Sequence, residues 1–341
     1  MLQFSKVKTV EWVNGRVRMV DQTRIPEKFT YVTLSNYRQV ARAIERMVVR
    51  GAPAIGVAAA MGIALSANSS TAKDRDRLMA ELRRAGTVLC HSRPTAWNLF
   101  WAVERMLRKA EATTGSRRAV AEELVLEAKR IAVEDIESNE KIGEFGSSLI
   151  DDGDRVLTHC NAGTLATVSY GTALAPIRTA VRQGKKVSVI ATETRPRLQG
   201  ARLTAFELLK DRIPLTLIVD GAAGYVMRQR MVKLAIVGAD RITSTLVANK
   251  VGTYLIALAA RENHIPFYVA APSSTFDLER SDQVEIEERD SREVTHVGGR
   301  RVPPRGVRVF NPAFDLTPVE LVEGFITEKG VLKPADLTGR L

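Results

Sequence analysis

The sequence predicts an α/β protein: a buried parallel sheet in the C-terminal half, preceded by a smaller, mainly helical N-terminal region with a short β element. Three observations predict it. Short apolar or β-branched runs at 156–160, 187–192, 215–219, 234–237 and 267–271 alternate with helical patterns, as in βαβ units whose sheet is covered on both faces. Before residue 150, helix-period patterns dominate and strand-like runs occur only at the start. At 341 residues and 45% hydrophobic side chains, the chain has material for one large or two ordinary domains.

Taken in order, VEWV and RVRMV flank Asn14-Gly15, the dipeptide that fits a type I′ turn, and predict a hairpin over 10–19. A third strand follows at 29–34. Ser35-Asn36 supplies cap chemistry for a helix reaching about residue 49, with Val40, Ala43, Ile44, Met47 and Val48 at helical spacing. After Arg50-Gly51-Ala52-Pro53 comes an alanine-rich helix. Further helices are predicted at 72–89, 94–112 and 117–150, the last stopped by Asp151-Asp152-Gly153-Asp154. The run 155–178 reads as a strand that ends in Thr158-His159-Cys160, turns through Asn161-Ala162-Gly163, and opens a helix from Leu165. The tail at 318–329 reads as helical. This divides the chain into a small domain at 1–115, a long connecting helix at 116–150, and a Rossmann-like domain at 151–341.

Composition narrows the function. No stretch reads as long and apolar enough to span a bilayer, and the N-terminus lacks a secretory layout, so the expectation is a cytoplasmic protein with no membrane partner. The net charge of +11 suits anionic substrates. Its charges alternate in sign along helical faces, without an arginine and aromatic stripe, which argues against nucleic acid. Two cysteines without a CxxC, and few histidines, predict neither a disulfide nor a zinc site. No GxGxxG follows the first strand of the sheet, so a nicotinamide cofactor is not supported.

Several motifs can carry chemistry. Arg50-Gly51-Ala52-Pro53, Arg93-Pro94-Thr95 and Asn249-Lys250 each precede a predicted helix start, where backbone N–H groups and a flanking cation bind anions. Singly, each reads as surface charge; together they suit a phosphate-bearing ligand if the fold gathers them. LAIVGADR delivers Asp240 at the carboxyl end of a buried strand, as a general acid or base or as a helix cap or partner of Arg241. Cys160 ends another strand of the same sheet, and a thiol near an acid at one sheet edge suits proton movement. Neighbouring side chains on a strand point to opposite faces, which assigns His159 a structural role. Cys90, on the apolar side of a helix, reads as core. In TETRPRLQG, the two arginines and Gln199 can bind hydroxyls or phosphate, or the arginines can form an internal ion-pair network that pins the loop; both readings are compatible, and Gln199 is the better ligand contact. Trp97, Phe100 and Trp101 fit either core packing or an apolar wall.

The strings VRGAPAIGVAAA, SRPTAWNLFWAVERM, LTHCNAGTLATVSYGTAL, ETRPRLQGARLTAFEL, IVGADRI, ANKVGTY, IPFYVAAPSSTFDL and NPAFDLTPVELVEGFITEKG, in this order, resemble the methylthioribose-1-phosphate isomerase family. They cover nearly the whole chain. That family shares a superfamily with the alpha, beta and delta subunits of translation initiation factor two B and with ribose-1,5-bisphosphate isomerase. The resemblance implies an aldose-ketose isomerase acting on a sugar 1-phosphate in methionine salvage, as a homodimer, without metal or organic cofactor. It implies Cys160 and Asp240 as catalytic groups, with Asp240 the proton donor. Substrate contacts carry over to Arg50, Gly51, Ala52, Arg93, Gln199, Asn249 and Lys250.

Departures from the family pattern are a loop at 242–248 one residue shorter than usual, Thr192 where Asp is usual, and Gly221 where Asn is common. Two alternatives stand beside the leading one. One is the same chemistry on 5-deoxyribose 1-phosphate or ribose 1,5-bisphosphate; the other is a non-catalytic regulatory protein of the translation-factor kind.

Overall fold

The computed structural model describes residues 4–278 and 284–337. β1 (Val10–Val13), β2 (Arg16–Val20) and β3 (Tyr31–Leu34) form an antiparallel sheet. At its first turn Asn14 and Gly15 both take positive φ, 49° and 74°, which is type I′ geometry. The Asn36 side chain caps α1 (Tyr37–Glu45) by accepting from the Gln39 backbone N–H. This helix stops short of the predicted residue 49, where Met47 turns to φ 58°. There follow α2 (Ala52–Ser69), α3 (Arg75–His91), α4 (Trp97–Ala112) and the 31-residue α5 (Arg117–Ser147).

Contrary to the sequence expectation, α2 is long and apolar enough to cross a membrane. In the structure 83% of it is buried, among α1, α3, α4 and α5. Its alanines and glycines are what let four helices approach it, so the helix is a core element on every face.

The second half runs β4 (Arg155–Thr158), α6 (Leu174–Arg182), β5 (Ser188–Thr192), α7 (Ala205–Lys210), β6 (Leu215–Ile218), α8 (Ala223–Arg228), β7 (Leu234–Val237), β8 (Arg241–Ile242), β9 (Leu246–Lys250), α9 (Thr253–Glu262), β10 (Phe267–Ala270), α10 (Arg292–Thr295), β11 (His296–Val297), β12 (Arg300–Arg301), β13 (Phe314–Pro318), β14 (Gly324–Thr327) and β15 (Gly330–Leu332). Seven strands make the main sheet, in the order β15-β14-β10-β7-β4-β5-β6, parallel except for β15. Its strands are buried on both faces by alternation. Val156, Val189, Leu234 and Ile236 pack with α5 and α6, while Leu157, Ile190, Ala235 and Val237 pack with α8 and α9.

From β4 the chain winds outward through β5 and β6, then returns to the other side of β4 and winds outward through β7, β10 and β14. The connections therefore diverge between the carboxyl ends of β4 and β7. Crevices in open α/β sheets form at such a switch point.

Three sequence expectations are corrected. The tail at 318–329 is not helical: it ends β13, then forms β14, whose GFIT is buried at all four positions. A short fully apolar run carries no periodicity to tell strand from helix. The loop at 242–248 is largely a tight hairpin, in which β8, β9 and β13 make a small antiparallel sheet. Finally, no helix opens at Leu165; a single 3-10 turn at Thr164–Ala166 is followed by loop until α6.

Candidate active site

Cys160 and Asp240 follow the two strands that flank the switch point, β4 and β7. Both line two adjoining pockets there. One holds Arg50, Gly51, Arg93, Gln199 and Lys250 with Cys160 and Asp240; the other holds Arg50, Gly51, Ala52 and Asn249 with the same pair. All nine candidate site residues therefore meet, although they come from six separate stretches of chain.

Each is held by its neighbours. Cys160 sits at φ 62°, a left-handed conformation that costs a non-glycine residue energy and is kept only where the surroundings impose it. Those surroundings are two threonines: the Cys160 N–H donates to Thr194 Oγ1 at 2.9 Å, and its carbonyl accepts from Thr204 Oγ1 at 2.6 Å. Thr204 closes a π-helical turn, Gly200–Thr204, that begins beside Gln199. Gly51 has φ 95°, and a Cβ there would lie 2.5 Å from the Ala166 Cα, so the approach of α2 to the loop after Cys160 requires glycine. The Arg50 guanidinium donates to Asn161 Oδ1 at 2.6 Å and to the Asn161 carbonyl at 2.9 Å.

β9 delivers Asn249 and Lys250. Asn249 Nδ2 donates to Thr253 Oγ1 at 2.9 Å and Lys250 Nζ to the Ala313 carbonyl at 2.7 Å. The Asp240 N–H donates to the Ala248 carbonyl at 2.9 Å, tying the β7 terminus to the same hairpin. The partner considered for Asp240 is engaged elsewhere, because Arg241 pairs with Asp277 at 2.6 Å.

His159 lines the second pocket, but both of its ring nitrogens are engaged by groups other than the Cys160 thiol. Its Nε2–H donates to the Val251 carbonyl at 3.0 Å, which leaves Nδ1 to accept from Thr192 Oγ1 at 2.6 Å. Burial brings this imidazole down to about 4, so it is neutral at physiological pH.

Burial governs the titration of the candidate catalytic and binding groups. It pushes the Cys160 thiol up, opposed by Arg50 and Lys250. It raises the Asp240 carboxyl against Lys250, Arg93 and Arg50, and it lowers the Lys250 ammonium against Cys160 and Asp240. The site thus holds a carboxyl that keeps its proton above the ordinary range, beside cations suited to a phosphate.

Sequence reasoning missed a group from the segment after β10. Arg289, Glu293, Asn311 and Phe314 line the pocket, and Glu287 sits behind it on Arg93. The run EERDSREV reads in isolation as a solvated charged segment, and nothing in its spacing marks it. Conversely, Trp97, Phe100 and Trp101 are not among the residues lining either pocket. Trp101 lines a separate cavity with Arg105 and Asp135, and the larger apolar side chains of the first pocket are Met47, Pro196 and Phe314. Among the described residues no group of three or more His, Cys, Asp or Glu side chains is arranged to hold a metal.

Comparison with known proteins agrees with the geometry. Residues 48–334 match the initiation factor 2 subunit family. The methylthioribose-1-phosphate isomerase of Geobacter metallireducens is 53% identical, covering 98% of this chain and 97% of its own. Among solved structures, a 5-methylthioribose 1-phosphate isomerase from Pyrococcus horikoshii superposes with a TM-score of 0.88 at 44% identity, over 96% of this chain and 93% of that one. A structure from A. fulgidus described as translation initiation factor eIF-2B, subunit delta, gives 0.85 at 48% identity, over 98% of each chain. With a sheet switch point holding Cys160 and Asp240 in a cationic pocket, and relatives matched over almost their full length, the chain belongs to the methylthioribose-1-phosphate isomerases of the initiation factor 2 subunit family.

Proposed function

We infer that the protein converts 5-methylthioribose 1-phosphate to 5-methylthioribulose 1-phosphate, an aldose-ketose isomerisation of methionine salvage. The observation that carries this reading is the meeting of Cys160 and Asp240 with Arg50 and Lys250 in one pocket. Phosphate on carbon 1 prevents spontaneous ring opening, so the enzyme must break the bond between carbon 1 and the ring oxygen. Asp240 is assigned the proton for that oxygen, and its burial keeps the proton available. A hydrogen then passes from carbon 2 to carbon 1 beside Cys160, and the carbon 2 hydroxyl gives its proton back to the ionised Asp240 as the ketone forms, which restores the acid. Arg50, Lys250 and the N–H groups opening α2 are assigned the phosphate. Met47 and Phe314 offer an apolar surface for a thiomethyl group.

The A. fulgidus structure supports a second reading, a regulatory protein without turnover. A pocket furnished with a thiol on a strained backbone, a raised carboxyl and two cations without a carboxylate partner among the described residues favours the enzyme.

A homodimer and a cytoplasmic location belong to the same reading. Leu217, Val219, Tyr225 and Leu255 are exposed along the β6 edge and the adjoining α8 and α9, an apolar surface suited to a second copy. Sedimentation of Leu255→Glu beside the parent protein tests that contact.

The deciding experiment offers purified protein 5-methylthioribose 1-phosphate, 5-deoxyribose 1-phosphate and ribose 1,5-bisphosphate without added metal, and follows ketose formation. Turnover of the first, abolished in folded Cys160→Ser and Asp240→Asn variants, is expected. No turnover of any of the three removes the enzyme reading.

A further inference from the structure

Five cations line the pocket beside Cys160: Arg50, Arg93, Arg197, Lys250 and Arg289. Three of them share two carboxylates, which offset all but one of their charges. Glu287 accepts from Arg93 Nε at 3.1 Å and Arg289 Nη1 at 2.6 Å, and Glu293 accepts from Arg197 Nη1 at 2.6 Å and Arg289 Nη2 at 2.9 Å. The two carboxylate side chains are only 16% and 13% exposed, so little solvent screens them. Burial opposes their ionisation, but Arg93 and Arg289 around Glu287, and Arg289 and Arg197 around Glu293, overcome it and hold both below the usual range.

Arg50 and Lys250 differ. Their guanidinium and ammonium groups are held by neutral acceptors, Asn161 and the Ala313 carbonyl. Among the described residues neither lies within ion-pairing distance of a carboxylate. Arg50 and Lys250 are thus the two cations of the pocket without a carboxylate partner, enough for one phosphate dianion, and the three paired arginines keep a single positive charge among them.

Hydrogen-bonding capacity gives an independent argument. Three buried atoms of this pocket lack a partner among the described residues: Gln199 Oε1, Glu293 Oε2 and Arg289 Nε. Buried polar atoms left unpaired are costly, so they mark where a ligand completes the site. Glu293 Oε2 needs a donor. A hydroxyl can supply both that donor and the acceptor that Arg289 Nε lacks, whereas a phosphate dianion, having only acceptors, would serve Arg289 Nε but leave Glu293 Oε2 facing a like charge.

We propose that Glu287 and Glu293 are specificity-determining residues that make the pocket accept a sugar with one phosphate and reject one with a second phosphate. The proposal rests on the isomerase reading and names its substrate class: sugar 1-phosphates whose other end is uncharged. Neither carboxylate is assigned to the reacting atoms. They act by cancelling the cations a second phosphate would need and by repelling that phosphate themselves.

The test separates this proposal from the reading beneath it. The wild-type protein is titrated with two unreactive probes, ribitol 1-phosphate and ribitol 1,5-bisphosphate, and binding of the monophosphate about tenfold tighter or more is expected. Glu287→Gln and Glu293→Gln keep the side-chain shape. In each, the preference in kcat/KM for 5-methylthioribose 1-phosphate over ribose 1,5-bisphosphate is expected to fall about tenfold. Equal losses on both substrates overturn the proposal, as does wild-type protein that binds the bisphosphate as tightly as the monophosphate. If a variant fails to fold, the wild-type titration decides. A protein that turns over no sugar phosphate defeats the isomerase reading alone, and the two probes still decide the charge selectivity.

Discussion

Arg50 and Asn161 are joined by two hydrogen bonds, so a cation from the loop before α2 is registered on the residue immediately after Cys160. Asn161 is itself fixed: its Nδ2 donates to Glu207 Oε1 at 2.9 Å, and Glu207, with no exposure, also takes the Thr164 and Leu165 N–H groups and Arg178. The aim of Arg50 is thus set by a buried network reaching α6 and α7. Asn161→Ala removes that register while sparing the guanidinium. The expected result is a rise in KM of about tenfold with a smaller change in kcat, since a hydrogen bond to a charged group is worth about 1.5–3 kcal/mol. Steady-state kinetics checks it, and an unchanged KM would separate Arg50 from the phosphate.

Gly51→Ala should fail for two reasons at once. The added Cβ would meet the Ala166 Cα at 2.5 Å and its carbonyl at 2.6 Å, both backbone atoms, and φ at 95° is unfavourable for any side chain. A loss of at least about 2 kcal/mol is expected in chemical denaturation, because the clash must move α2 away from the loop after Cys160. Activity should fall with it. Retention of both would mean that the close approach can relax at no cost.

Much of this arrangement could be read from the chain, and the parts that could not have a common cause. Buried parallel strands must be apolar on both faces, so LAIV and SVIAT announce themselves, and a polar residue straight after such a run, Cys160 or Asp240, stands at a sheet edge. Glycine and proline around Arg50 mark a helix start for local reasons. Glu287, Arg289 and Glu293 have no such local signature: their meaning lies in pairing with Arg93 and Arg197, about 200 and 100 residues away. GFIT was misread because full burial erases the period of two that would have marked a strand.

If Asp240 is the proton donor proposed above, it sets the pH dependence of turnover. As a proton donor it must be protonated, and burial raises its carboxyl above the ordinary range despite Lys250, Arg93 and Arg50. The acid form is therefore present at higher pH than for an exposed aspartate and is lost as pH rises through the raised value. A profile of kcat/KM should show an alkaline limb from this ionisation, displaced upward from the ordinary carboxylate range. Substituting Lys250→Met removes the strongest opposing charge and should move the limb further up. A limb that stays in place would assign it to another group.

Asp135 makes a stability prediction of the opposite kind, away from the reacting atoms. On α5 it is 9% exposed, and one carboxyl oxygen accepts from the Val168 N–H at 2.7 Å and from Asn139 Nδ2 at 3.1 Å, anchoring the loop between Cys160 and α6. Burial raises it to about 7, the two hydrogen bonds opposing the shift. Because the folded state holds this proton more tightly than the unfolded chain, its contribution is complete below pH 4. It is lost as pH rises to about 7, the value in the folded state. An asparagine can accept both hydrogen bonds through its own oxygen and cannot ionise. The stability of wild type relative to Asp135→Asn should therefore fall between pH 4 and 8, on the order of 3 kcal/mol. Every other titrating group is common to both proteins and cancels in the difference. Urea denaturation of the pair at each pH measures it, and a difference independent of pH would show that the buried carboxyl titrates at its ordinary value.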